Sequence, residues 1–208
     1  MNLPNKLSLL RIILVPVMVF FYLATFVPYG KAIALGIFII AALTDMLDGR
    51  IARKNGLVTD LGKLLDSIAD KILALSVLLL LIADATIPAP YGVIAGIIIL
   101  GRDFMIDLLR QIGATKNKVI AADIWGKVKT IVFDIAFPLL LLVAFLEQDL
   151  LLSGGIVYII NIIALGLFTL GAVLCIISGI NYMINNASVF KEEKKETEEF
   201  TQESEDNC

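Results

Sequence analysis

Within residues 45–70 of a strongly apolar chain, four aspartates form two closely spaced pairs: Asp45 with Asp48, and Asp66 with Asp70. The first two are three residues apart and the last two are four apart, so each pair shares one face of a helix. A charged group near the centre of a membrane helix costs at least about 2.5 kcal/mol, so carboxylates at such depth need partners. Four converging carboxylates also repel one another, and one or two divalent cations relieve that repulsion. The spacing therefore indicates a metal site shared by two neighbouring helices.

Two other interpretations of these acids stay open on the residues alone. In the first, each acid pairs with a local base, as Asp48 could with Arg53. Asp70 has Lys63 and Lys71 as candidate partners in the same way. In the second, the chain is an ion-coupled transporter whose buried carboxylates relay protons or bind sodium. Transporters commonly have broken helices and repeated halves, and we find neither pattern in this sequence.

The composition excludes an ordinary soluble domain. Of the 208 residues, 59% are hydrophobic and 18% are charged, and the mean hydropathy is +0.90. A water-soluble body of this size cannot bury that much apolar surface. The chain has no histidine and two cysteines, so an imidazole base is excluded and no disulfide framework is indicated. Any metal must bind oxygen ligands, which favours Mg²⁺ or Mn²⁺.

Six apolar stretches approach the roughly 20 residues that a helix needs to cross a bilayer. They cover residues 8–29, 32–47, 61–83, 91–109, 124–146 and 155–184. Sixteen of the seventeen lysines and arginines then fall on one side of the bilayer, and Lys31 is the exception. In membrane proteins, lysines and arginines concentrate in the loops on the cytoplasmic side. We therefore predict an all-α integral protein of the cell membrane with six transmembrane helices. Both termini and the acidic site are expected on the cytoplasmic side.

The end of the chain has a different composition from the rest. Residues 191–208 carry eight acidic residues against three lysines. This charge run predicts a solvated, disordered tail that follows a membrane domain of residues 1–190. The basic residues of the membrane domain do not form a soluble patch, so a nucleic-acid partner is not expected.

The acidic segment resembles the signature of the CDP-alcohol phosphotransferase family. Eight fixed positions match without departure: Asp45, Asp48, Gly49, Ala52, Arg53, Gly62, Asp66 and Asp70. Members of that family are six-helix membrane enzymes, commonly homodimers. They move a phosphatidyl or related group from a CDP-linked donor to an alcohol and release CMP. For about residues 2–190, the resemblance implies the same fold, with a polar metal and nucleotide cavity near the cytoplasmic face.

The resemblance also implies roles for individual residues. The implied ligands of two Mg²⁺ or Mn²⁺ ions are Asp45, Asp48, Asp66 and Asp70. Asp70 is also the implied general base, which takes the proton of the acceptor hydroxyl. The positions that match contacts to the CDP group are Gly49, Arg53 and Thr59. Among these, Arg53 offers a forked donor for phosphate oxygens.

A second group of charged residues bears on the acceptor. It comprises Arg102, Arg110, Lys127 and Lys129. Cations this close to helix ends indicate an anionic acceptor, because a free alcohol such as serine does not need them. The alternative is that each is a long side chain that extends to the cytoplasmic surface and only sets the orientation of the protein.

Two further segments, residues 2–11 and 119–130, resemble the phosphatidylglycerophosphate synthase subgroup of that family. The resemblance implies CDP-diacylglycerol as donor and sn-glycerol 3-phosphate as acceptor, with phosphatidylglycerophosphate as product. The four basic residues above would then bind the acceptor phosphate. Asp103 and Ser67 depart from the subgroup, which usually has Glu and Pro there. A cardiolipin synthase of the CDP-alcohol type, with phosphatidylglycerol as acceptor, is therefore the alternative.

Overall fold

The computed structural model describes the backbone of residues 3–55, 60–115, 124–152 and 154–185. Side chains are described for residues 5–45, 62, 64–113, 124–152 and 154–185. All regular secondary structure in these ranges is helical. In chain order the helices are α1 (Leu3–Leu23), α2 (Gly30–Asn55), α3 (Asp60–Ala83), α4 (Ala89–Thr115), α5 (Ile124–Ala144) and α6 (Gly155–Asn185). A single π-helical turn, Phe145–Asp149, extends α5.

Each predicted apolar stretch corresponds to one helix, but several helices begin earlier or end later than predicted. α1 begins at Leu3, five residues before the predicted stretch, because Pro4 is tolerated in a first helical turn. α2 continues to Asn55, eight residues beyond the predicted end. Apolar stretches report only the part of a helix that can face lipid, so they miss polar extensions of this kind.

Three helical segments of the described chain are long and apolar enough to cross a membrane: Asn5–Leu23, Ile124–Asp149 and Gly155–Asn185. Large apolar side chains cover the outside of these segments, as in Phe20, Ile131 and Ile159. Exposed apolar surface on this scale indicates contact with lipid. The described part of the chain is therefore all-helical, and the protein is membrane-embedded. Helices α1 to α5 carry the charged side chains that form the site described below.

An aromatic cluster anchors α5 against α6 at the centre of the bundle. The ring centres of Phe133 and Phe137 are 5.5 Å apart in a stacked arrangement, and Phe168 lies 5.9 Å from Phe133. Gly171 makes room for this cluster, because a Cβ atom there would lie 2.7 Å from the Phe133 ring. α1 packs against α2 and α3, and α2 packs against α5. This packing fixes how the charged faces of α1, α2 and α3 meet.

A buried polar network closes the end of the bundle where α2 begins. Lys31 Nζ lies 3.1 Å from Asp84 Oδ2 and also donates to the side-chain oxygen of Gln148. The Tyr22 hydroxyl donates to Asp84, and the Lys31 backbone N–H donates to Asp149 at 3.0 Å. Lys31 is the basic residue that the charge asymmetry of the sequence does not accommodate. Its burial against Asp84 explains that exception.

We predict that Lys31→Met lowers the stability of the folded protein by roughly 3 kcal/mol. The reason is that Asp84 would remain buried without its positive partner. Thermal unfolding in detergent measures the change, and Lys6→Met serves as control because Lys6 is exposed. Equal melting temperatures for the two variants would contradict this account of the network.

Candidate active site

Three of the four predicted aspartates converge on one side chain, the guanidinium of Arg11. Arg11 Nη2 lies 2.7 Å from Asp45 Oδ1. Its Nη1 atom lies 3.0 Å from Asp70 Oδ1 and 3.3 Å from Asp66 Oδ1. Helices α1, α2 and α3 each contribute to this cluster. Residues far apart in sequence therefore form one charged centre, which we call the acidic cluster.

The cluster has a buried side and an exposed side. The Arg11 side chain is 0% exposed, whereas the side chains of Asp45, Asp66 and Asp70 are 40%, 47% and 54% exposed. The cation therefore lies beneath the carboxylates, and the carboxylates face the open side of the site. Such a surface can receive a positively charged ligand from outside.

The carboxylates are suited to a hard divalent cation because they are oxygen donors that already surround a positive group. Among the described side chains, however, no three carboxylate or thiolate groups are arranged as ligands of a single ion. Arg11 takes the central position that the sequence interpretation gave to a metal. No sequence pattern indicates this role, because the partners of Arg11 lie up to 59 residues away.

The local-pairing alternative does not describe Asp70 and Lys71. Asp70 pairs with Arg11, while Lys71 pairs with Asp107 of α4 and donates to Ser67 at 2.8 Å. Ser67 in turn donates to Asp107 at 2.7 Å. These bonds connect α3 to α4 directly beside the acidic cluster. They hold the helix that carries Asp70 in a fixed position.

The contacts of four other predicted site residues fall outside the part of the chain that the structure describes. Asp48, Gly49 and Arg53 belong to the described backbone of α2, but their side chains lie outside the described residues. Thr59 also lies outside the described residues. The predicted donor contacts and the fourth metal ligand therefore stay predictions.

Two of the predicted acceptor residues meet at Asp103. Arg102 Nη1 lies 2.9 Å from Asp103 Oδ1, and Lys129 Nζ pairs with the same oxygen. Arg102 also donates to the hydroxyl of Ser178 on α6. Both cations are largely buried, with side chains 12% and 8% exposed. They form a compact basic group that carries one neutralising carboxylate.

The close approach of α5 to this group depends on a glycine. A Cβ atom at Gly126 would lie 3.0 Å from Arg102 Nη2 and 3.7 Å from the Ser178 hydroxyl. Trp125, the residue before it, is 42% exposed at the start of α5. The first turn of α5 therefore lies directly against the buried guanidinium.

The other two predicted acceptor residues lie on the same helices with exposed side chains. Arg110 is two turns beyond Arg102 on α4, and its guanidinium carbon lies 6.0 Å from the centre of the Tyr182 ring. Lys127 is exposed in the first turn of α5. The described contacts thus join Arg102 to Lys129 through Asp103, whereas the side chains of Arg110 and Lys127 are exposed.

Sequence reasoning also missed Asp134 and Ser178. Asp134 lies on α5, close enough to Asp45 for their charges to interact. Its signal was present in the sequence, because an acidic residue in the middle of an apolar stretch is rarely there without a function or a partner. Ser178 carried no comparable signal, since serine is common in membrane helices.

The amino-acid sequence has a counterpart among known protein families. The family model described as CDP-alcohol phosphatidyltransferase matches residues 1–176. This match covers well over half of the chain, so the protein belongs to that family. Membership favours the phosphotransferase interpretation of the acidic residues over the ion-coupled transporter.

Several curated relatives share one name, CDP-diacylglycerol–glycerol-3-phosphate 3-phosphatidyltransferase. The relative from Bacillus subtilis is 39% identical over 152 residues, which are 68% of this chain and 77% of that protein. The one from Rickettsia felis is 34% identical over 183 residues, covering 87% and 93%. The one from Haemophilus influenzae is 33% identical over 195 residues, covering 88% and 91%.

Proposed function

We propose that this protein transfers the phosphatidyl group of CDP-diacylglycerol to sn-glycerol 3-phosphate. The products are phosphatidylglycerophosphate and CMP. The carrying observation is the match to full-length relatives that bear the name of this reaction. The buried pair of Arg102 and Lys129 supports it, because cations at this place suit an acceptor that carries a phosphate.

We assign the acidic cluster to the reacting diphosphate. Asp45, Asp48, Asp66 and Asp70 would hold Mg²⁺ or Mn²⁺, two ions in all. When bound, such ions neutralise the diphosphate and the charge that develops on the leaving CMP. The exposed faces of Asp45, Asp66 and Asp70 support this assignment, since a ligand can reach them from the open side of the site.

In the proposed reaction, Asp70 takes the proton of the acceptor hydroxyl. The hydroxyl oxygen then forms a bond to the phosphorus next to the lipid, and the bond from that phosphorus to CMP breaks. Asp70 is the most exposed of the three described aspartates, at 54%, which suits a group that must reach a substrate. Arg53, with Gly49 and Thr59, would bind the CDP group.

The acceptor phosphate would lie against the basic group. Arg102 and Lys129 are held in position by Asp103 and Ser178 before any ligand binds. Arg110 and Lys127 would complete the binding of the phosphate from the exposed side. A site with its donors already oriented loses less entropy on binding than one that must assemble.

We further propose that α1 to α6 are six transmembrane helices with both termini on the cytoplasmic side of the cell membrane. A polar cavity near that face would contain the acidic cluster and the basic group. Residues 1–190 would form this membrane domain as a homodimer, and residues 191–208, outside the described residues, would form a disordered acidic tail. The charge asymmetry of the sequence supports the orientation.

An assay with several acceptors tests the proposal. Purified protein receives CDP-diacylglycerol, Mg²⁺ or Mn²⁺, and one labelled acceptor: sn-glycerol 3-phosphate, phosphatidylglycerol, serine or inositol phosphate. We expect CMP release and a labelled lipid with glycerol 3-phosphate alone, and loss of both when EDTA removes the metal. Cardiolipin formed from phosphatidylglycerol would instead identify the alternative enzyme. Full activity in EDTA would contradict the metal site.

A further inference from the structure

Arg11 occupies an unusual electrostatic position. It is a fully buried cation that contacts three carboxylates from three different positions on α2 and α3. Each of these three contacts uses the Oδ1 atom of the aspartate. One oxygen of each carboxylate is thus held from below, while about half of each aspartate side chain stays exposed.

The charges of this group do not cancel. One guanidinium faces three carboxylates when all are ionised, so the group keeps an excess of negative charge. Without the guanidinium, the three carboxylates would repel one another at close range. With it, they are held together in the absence of any other cation.

We infer that Arg11 is a resident counter-ion of the acidic cluster. It positions Asp45, Asp66 and Asp70 from the buried side before a divalent cation binds, and its own charge weakens the binding of that cation. Arg11 is therefore a positioning residue, and the cluster folds without metal. This inference rests on the proposed metal site, which belongs to the proposed function.

Arginine suits this role better than lysine does. Its planar fork presents donors in two directions, which allows Nη1 and Nη2 to serve different helices at once. Here Nη2 faces Asp45 of α2, and Nη1 faces Asp66 and Asp70 of α3. A lysine would keep the charge but could not span the same partners with fixed geometry.

The test compares Arg11→Met and Arg11→Lys with the wild-type protein, all full-length, in detergent and purified in the presence of Mn²⁺. Thermal unfolding is measured in EDTA and in saturating Mn²⁺. Mn²⁺ binding is measured from the electron paramagnetic resonance signal of the free ion. We expect Arg11→Met to melt at least 8 °C lower than wild type in EDTA, roughly the shift of a few kcal/mol in a chain of this size. Mn²⁺ should restore most of that loss.

We also expect Arg11→Met to bind Mn²⁺ at least about tenfold more tightly than wild type, because a positive charge beside the ion has been removed. Arg11→Lys should bind Mn²⁺ within about threefold of wild type, since the charge remains. It should still melt at a lower temperature in EDTA, because the fork is lost. If too little folded Arg11→Met can be purified, the test rests on Arg11→Lys alone, through its Mn²⁺ affinity and its melting temperature in EDTA.

Lys31→Met is the matched control, because it removes another buried cation that is paired with a carboxylate. It should melt at a lower temperature, and Mn²⁺ should not restore its stability. The inference is overturned if Arg11→Met melts with wild type in EDTA, or if its Mn²⁺ affinity equals that of wild type. If wild type itself binds no Mn²⁺, the proposed metal site fails, and the melting temperatures in EDTA still decide whether Arg11 holds the cluster.

Discussion

Asp70→Asn is expected to reduce the rate of phosphatidyl transfer by roughly 10³-fold, which is within the range that removal of a general base produces. The amide has nearly the same shape, and its oxygen can still accept the hydrogen bond that Arg11 Nη1 donates to Asp70 at 3.0 Å. The fold should therefore survive. The amide cannot take up the proton of the acceptor hydroxyl, and it binds a divalent cation poorly.

The measurement is CMP release under saturating donor and acceptor, together with a melting curve that establishes folding. Asp149→Asn is the matched control. It makes the same substitution at the far end of the bundle, where Asp149 accepts a hydrogen bond from the Lys31 backbone N–H. We expect its rate to lie within twofold of wild type. A near-normal rate for Asp70→Asn would remove Asp70 from the reaction.

The second large effect concerns the acceptor. Arg110→Ala should raise the KM for sn-glycerol 3-phosphate about 10- to 100-fold, the cost of losing a charge-assisted hydrogen bond of roughly 1.5–3 kcal/mol. The KM for CDP-diacylglycerol should stay close to wild type, because the donor is assigned to the acidic cluster. Arg110 is exposed, so the substitution leaves the packing of α4 largely unchanged.

Steady-state kinetics with each substrate varied in turn measures this effect. Arg110→Lys should recover part of the lost affinity, since it restores the charge without the fork. Lys6→Ala, a change at another exposed basic residue, should leave both KM values unchanged. If Arg110→Ala raised the KM of the donor instead, Arg110 would belong to the nucleotide site.

The helices could be predicted from the sequence because residues close to each helix end determine where the helix begins or stops. Gly155 begins α6 and Ala83 ends α3, as predicted, since turn residues and loss of apolar character mark both points. The start of α1 was predicted five residues too late, because Pro4 is as compatible with a first helical turn as with a preceding loop. Among the six predicted spans, three correspond to described helical segments that are long and apolar enough to cross a membrane.

Of the candidate site, the sequence predicted the aspartates and the basic residues Arg102 and Lys129, but not the contacts that join them. The spacing of the aspartates placed Asp66 and Asp70 on one face of a helix, and the structure brings Asp45 to the same centre. The cation between them could not be predicted, because the contact depends on the rotation of α1 about its axis. The contacts of Asp103 could be predicted only in part for the same reason. Arg102 is its neighbour in sequence, but Lys129 contacts it from another helix.

Trp125 gives this protein a built-in optical probe. It is the single tryptophan of the chain, and it precedes the glycine that lies against the Arg102 guanidinium. Its indole is partly exposed, so the emission wavelength and the intensity of its fluorescence depend on the polarity of its surroundings. We therefore expect the fluorescence of Trp125 to change when an unlabelled phosphate compound is titrated into the intact protein and binds at the basic group. Occupancy there can be followed separately from turnover.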